Sequence, residues 1–186
     1  MTEMTKQLLA DALRGKMQTK PLNKITIKEI AEECSLNRQT FYYHFPDIYG
    51  LLEWMFQRDA EKLMRKYNSV DVWEQGMTEL LEYIRRNREV CMCTLHSVAR
   101  DQLEYFVFKD VRRLILSVID EVGGDLNLPM HGRDFVADFY TYAICAVVVH
   151  WMKDGMKESS ECLIDKLRLT MQGNIRLALE RFAKEK

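Results

Sequence analysis

Apolar side chains recur at intervals of three and four residues along nearly the whole sequence, the spacing of a helix face. Leu9, Leu13 and Met17, with Leu8 and Ala12 beside them, mark a first amphipathic helix, and "TKPLNK" ends it by placing Pro21 and Asn23 where a helix stops. Thr26 and Glu29 form a capping-box pattern that opens a short second helix in "TIKEIAEEC". "CSLN" makes a turn, and Asn37 is a good N-cap for a third helix over 37–45. Pro46 halts that helix, and Asp47 can cap a long fourth one reaching to about 67. Further helices are expected over 71–86, 88–97, 101–123, 131–154 and 159–183, separated by "NSVD", "VGGDLNLPMHG" and "KDGMKESS". No alternating strand pattern, internal repeat or low-complexity segment competes, so the expected fold is all-α with about nine helices.

The third helix, "NRQTFYYHF", carries four aromatics in five residues directly after a run of small polar side chains. At about 100° per residue, with Leu36 at zero, Phe41 and Phe45 fall near ~140° and ~180° and belong, with Leu36, to a core. Gln39, Thr40 and Tyr43 fall near ~300°, ~40° and ~340°, almost opposite, with Tyr42 and His44 on the flanks. A helix lying in the DNA major groove needs this cross-section: base-reading groups in front, phosphate contacts at the sides and an apolar back. The preceding short helix supplies the other half of a helix-turn-helix. The capped start of that helix, at Thr26 and Lys28, suits a phosphate oxygen.

Charge qualifies this picture. The chain of 186 residues has a net charge of −1, and residues 1–50 carry seven Lys or Arg against six Asp or Glu. Few local cations imply a modest salt dependence of DNA binding. Five cysteines at irregular positions (Cys34, Cys91, Cys93, Cys145, Cys162) fit reduced thiols without a disulfide framework, and the start lacks the apolar stretch of a secretory signal. No apolar run approaches the ~18 residues of a membrane span, so no membrane partner is expected and the cytoplasm is the expected location. Cys91 and Cys93 diverge by ~200° on a helix, so with His96 they make a poor metal site. Neither His131 nor His150 has a partner at ligand spacing. No metal or cofactor is expected, and no nucleophile–base pair or phosphate-cradling loop supports an enzyme.

The stretch "ITIKEIAEECSLNRQTFYYHFPDIYGLL" resembles the DNA-binding region of TetR-family transcriptional regulators, on Thr26, Ile30, Ala31, the turn, Thr40, Tyr42, His44, Phe45, Asp47, Leu51 and Leu52. The likeness spans roughly residues 5–55, and with "HWMKDGMKES" it is similar to the branch associated with dihydroxyacetone-kinase regulation. It implies a homodimer on double-stranded operator DNA, with a reading domain at 1–47 and a helical effector and dimerisation domain at 48–186. Thr26, Lys28, Asn37, Arg38, Gln39, Thr40, Tyr42, Tyr43 and His44 are then the DNA-binding set. Two departures stand out: Ser35 occupies a turn position where the family commonly has Gly, and Ile48 one where it commonly has a phosphate-binding Lys.

The C-terminal part reads as a pairing domain. "FVADFYTYAICAVVVHWM" is apolar almost all round and must be covered on two sides, one of them by a twin subunit. Phe135, Phe139, Tyr142 and Ala146 from this helix, with Ile164, Leu167, Met171 and Ile175 from the last, are the expected dimer contacts. Trp73, Tyr83, His96, Arg100, Tyr105 and Phe106 mix rings with polar ends as an effector pocket does. Control by a small-molecule effector and control by a kinase-like protein co-regulator both remain open. The fourth helix is expected to transmit either signal.

Overall fold

In the computed structural model of the chain, residues 2–64 and 73–184 are described. The expected tail of the fourth helix (65–67), the "NSVD" connection and positions 71–72 lie outside the described residues. Those described form ten α-helices, a 3-10 turn at Leu22–Lys24 and no strand: α1 Thr2–Met17, α2 Ile27–Glu33, α3 Arg38–His44, α4 Ile48–Met64, α5 Trp73–Arg86, α6 Arg88–Leu95, α7 Arg100–Gly123, α8 Met130–Lys153, α9 Ser160–Met171 and α10 Asn174–Lys184. The fold is all-α, with one helix more than the periodicity predicts. The helix expected over 159–183 breaks because Gly173 adopts a left-handed φ of 75°, and Asn174 then returns its side-chain amide to the Thr170 carbonyl at 2.7 Å.

The chain divides into two compact units, one comprising Met1–Lys62 and Asn87–Phe106, the other Leu63–Arg86 and Val107–Lys186. The boundary expected at residue 47 therefore falls inside the first unit. That unit packs α2, α3 and α6 on α1. Leu9, Leu13, Ile30 and Phe41 are fully buried there, and Phe56 stacks on Phe106 with ring centroids 5.3 Å apart. The guanidinium of Arg14 donates to the buried Asp59 at 2.5 Å and to Asn87 at 2.6 Å, tying the discontinuous segment to α1 and α4.

The turn between α2 and α3 closes with Ser35 N–H donating to Glu32 at 3.0 Å and Leu36 N–H to Ala31 at 2.8 Å. Ser35 sits at φ 55°, the left-handed conformation that the glycine-to-serine departure implies. Leu36 is half-buried rather than a core residue, because the turn carries it to the edge of the unit. A side chain at left-handed φ costs ~1–2 kcal/mol, against which glycine's extra chain entropy sets ~0.5–1 kcal/mol. Ser35→Gly is expected to stabilise the fold by about 0.5–1 kcal/mol, read as a higher urea midpoint; an unchanged or lower midpoint would refute strain at this turn.

In the second unit α5 packs on α9, and α10 on α8 and α9. Close approach is written in glycine: a Cβ on Gly76 would lie 2.4 Å from Leu114, and one on Gly132 2.8 Å from Phe182. The "HWMKDGMKES" stretch is a corner. Gly155 and Met156 turn the chain at φ 81° and 58°. The Glu158 carbonyl then accepts from the Trp151 indole at 2.9 Å and from Arg85 of α5 at 2.9 Å, while Ser160 donates to Glu82 at 2.7 Å.

Two features of this unit correct expectations. Ile164, Leu167, Met171 and Ile175 are buried within the single chain, because α5 and α8 already cover that side of α9 and α10, so they offer nothing to a second copy. The helix α8 is long and apolar enough to cross a membrane by length and composition, although no single apolar run in the sequence showed this. Val136, Ile144, Val148 and Met152 of α8 are nonetheless buried, and Asp134 and Asp138 bind Arg112 of α7 at 3.1 and 2.7 Å. Asp110 of α7 is the contrast to Asp59: only 4% exposed, with no hydrogen-bond partner for either carboxylate oxygen.

Candidate nucleic-acid interface

Helix α3 is positioned from both ends. Asn37 caps its start, its Oδ1 accepting from the Thr40 amide at 2.7 Å and the Thr40 hydroxyl at 3.0 Å. Phe45 ends it in an extended conformation, and the Phe41 and Phe45 rings, 6.0 Å apart, hold its back to the core, with Trp54 at 5.9 Å from Phe45. Opposite them Gln39 is exposed and Tyr43 is 78% exposed, its ring meeting the edge of His44 at 5.0 Å. Tyr42 is exposed on one flank and His44 half-buried on the other. The wheel drawn from sequence matches the burial of this helix except at Arg38, which falls at ~200°, beside Phe45, yet is exposed at the first turn on the Tyr42 flank.

The start of α2 is a closed hydrogen-bond circuit. Glu29 accepts from the Thr26 amide at 2.9 Å and the Thr26 hydroxyl at 2.9 Å, while the Glu29 amide donates back to Thr26 at 3.3 Å. Lys20 also binds Glu29, and these donors, Lys20 foremost, hold its carboxyl down at about 2. The hydroxyl of Thr26 is therefore spent on the cap. Lys28 stands exposed, 3.7 Å from Glu32 on the same helix. At the start of α4, Asp47 accepts from the Gly50 amide at 2.8 Å, and Ile48 is half-buried, with no cation in its place.

On α8, Phe135, Phe139, Tyr142 and Ala146 are all exposed, as dimer contacts require. The structure adds Ala143, Val147 and His150 to the same stripe and Leu177 of α10 beside it. Their spacing of three and four from the predicted residues was the signal available in sequence. A groove of about 360 Å³ between α8 and α10, lined by Phe135, Phe139, Leu177 and Phe182, runs along this face.

The six candidate effector residues do not form one constellation. Trp73 and Tyr83 belong to the second unit; His96, Arg100, Tyr105 and Phe106 belong to the first. Of these, Phe106 is consumed by its stack on Phe56, and Arg100 pairs with Glu104 at 2.5 Å. Trp73 alone of the six lines an open cleft of about 550 Å³ in the second unit, together with Val118, Arg168, Gln172 and Arg176. Both arginines there already bind acids, Arg176 bidentately to Asp125 at 2.5 and 2.7 Å. Among the described residues no group of three metal-ligating side chains converges, and Cys91 is buried, its thiol pushed up to about 12 by desolvation.

Residues 9–55 match the family described as "Bacterial regulatory proteins, tetR family", and residues 71–173 the "Transcriptional regulator C-terminal region". The chain is 25% identical over 146 residues to the HTH-type dhaKLM operon transcriptional activator DhaS of Lactococcus lactis, covering 77% of each chain. Among solved structures it resembles the dihydroxyacetone kinase operon activator DhaS, with a TM-score of 0.74 at 23% identity over 93% of this chain and 97% of that one. It also resembles a tetR-family transcriptional regulator from Streptomyces coelicolor, with a TM-score of 0.66 at 14% identity over 97% and 88%. These relatives are transcriptional regulators rather than enzymes. On the match of both its regions, the chain belongs to the TetR family of transcriptional regulators.

Proposed function

We propose that this chain is a cytoplasmic regulator that binds operator DNA as a homodimer, each copy laying α3 in the major groove. The carrying observation is the cross-section of α3: a fully buried Phe41 behind, Gln39 and Tyr43 exposed in front, and Tyr42, Arg38 and His44 at the sides. Tyr42, His44 and Arg38 bind phosphate; Lys28, exposed on α2, adds a second phosphate contact; the front residues read bases. Asn37 serves as the cap that sets the pitch of the helix into the groove. The exposed stripe of α8 faces a second copy, and a small effector in the second unit, seated at the Trp73 cleft, alters operator affinity. The similarity to an operon activator supports control of metabolic genes without fixing the sign of regulation.

The test is an anisotropy titration of the purified protein against duplexes from the flanks of its own gene. Saturable binding to one fragment in preference to unrelated duplex is expected. Tyr42→Phe and His44→Ala should each weaken binding roughly tenfold on every sequence alike. Equal affinity for all duplexes, or no loss in either variant, would overturn the reading.

A further inference from the structure

Three side chains face outward from α3: Gln39, Thr40 and Tyr43. They differ in what they have left to offer. The Thr40 hydroxyl gives its hydrogen to Asn37 at 3.0 Å, so toward a base it presents a methyl group and a lone pair. Asn37 in turn has its carbonyl oxygen occupied by two donors from Thr40, which removes it as a bidentate reader. The Tyr43 hydroxyl can make a single hydrogen bond in either sense. Gln39 is exposed, and among the described residues no hydrogen bond engages either end of its amide. Its donor and acceptor lie side by side, the complement of the N7 acceptor and N6 donor that adenine alone presents in the major groove. Arg38, the other side chain suited to bidentate reading, is exposed at the first turn about 100° round the helix from Gln39, on the Tyr42 flank that faces phosphate in the reading above.

We propose that Gln39 reads an adenine in each operator half-site through a bidentate pair, and that it is the sole bidentate base reader on α3. This rests on the operator-binding reading above. The half-site then contains an obligatory A·T pair at the Gln39 position, while Arg38 anchors without selecting guanine.

The experiment selects duplexes from a randomised library with the wild-type protein and with Gln39→Ala, an exposed substitution that leaves the core untouched. Wild type should enrich one invariant A·T pair per half-site, and Gln39→Ala should lose that preference, with affinity for the selected duplex falling about 5- to 150-fold. Replacing the adenine by 7-deazaadenine, which lacks N7, should weaken wild type by about two- to twelvefold and leave Gln39→Ala unaffected. The proposal is overturned if Gln39→Ala keeps the adenine preference, if the deaza base weakens both proteins equally, or if Arg38→Ala erases a selected guanine. Should wild type enrich no sequence at all, the operator-binding reading falls first and takes this one with it.

Discussion

Phe139→Asp is expected to convert a two-chain species into single chains at micromolar concentration and to weaken operator binding by at least about a hundredfold. The reasoning starts from the stripe on α8, where Phe135, Phe139 and Tyr142 are each about 60% exposed in the single chain. Three large rings on one helix face, followed along it by the small residues Ala143 and Ala146 that allow close approach, form a patch of the kind that marks a pairing surface. Phe139 lies between the other two rings, where a carboxylate buried against the apolar face of a second copy costs several kcal/mol, on the order of 3–5. The effect on DNA follows because a single chain reaches only one half-site. Exposure of Phe139 in the folded chain means the substitution leaves the fold intact. Val98→Asp, at an exposed position of the first unit, serves as the control that keeps the assembly unchanged. Sedimentation and anisotropy measure the two effects, and a variant that stays paired would place the interface elsewhere.

Asp110→Asn is expected to stabilise the protein at pH 8 by on the order of 2 kcal/mol and to flatten its pH dependence. Burial pushes this carboxyl up from 3.8 to about 6, against the pull of Arg113 and Lys109 on the same helix. The native state therefore holds the proton more tightly than the unfolded chain. The carboxyl's stabilising contribution is complete below about pH 4, declines as pH rises through about 6, and is gone above it. The neutral amide has the same shape without that slope. Groups with the opposite slope, such as Glu29 held at about 2 by Lys20 and Thr26, are common to both proteins and cancel in the difference. Urea midpoints for wild type and variant at pH 5 and pH 8, at fixed protein concentration, give the result. Equal differences at the two values would show that Asp110 is solvated or paired in solution.

Local chemistry explains what was legible in the sequence. Asn37, Pro46, Thr26 with Glu29 and the 3.6-residue period place α1 to α4 because caps, breakers and one-sided burial act over a few residues. The left-handed φ of Ser35 was foreshadowed only by the resemblance, since the family commonly has Gly at that turn position. The candidate site on α3 was readable for the same reason: one short helix carries all of it. Failure came where outcome depended on distant segments. Ile164, Leu167, Met171 and Ile175 have the spacing of any apolar seam, and periodicity cannot say whether the seam meets the same chain or another. The pairing of Asn37 with Thr40 follows from a spacing of three, yet both were read as DNA contacts. The candidate effector residues scatter because nearness in sequence between 73 and 106 spans the boundary of the two units.

The first unit is built from two separated stretches, and this has a consequence for how it is made. Arg14 waits for Asn87, and Phe56 for Phe106, so the first unit lacks two of its closures when Lys62 has left the ribosome. At roughly 5–20 residues per second, synthesis of the stretch up to Phe106 takes several seconds more. During that interval α3 has its cap and its turn, while α1 lacks the cover that α6 will supply. A graft of residues 1–55 onto another body would lack the same cover unless the segment 87–106 travelled with it.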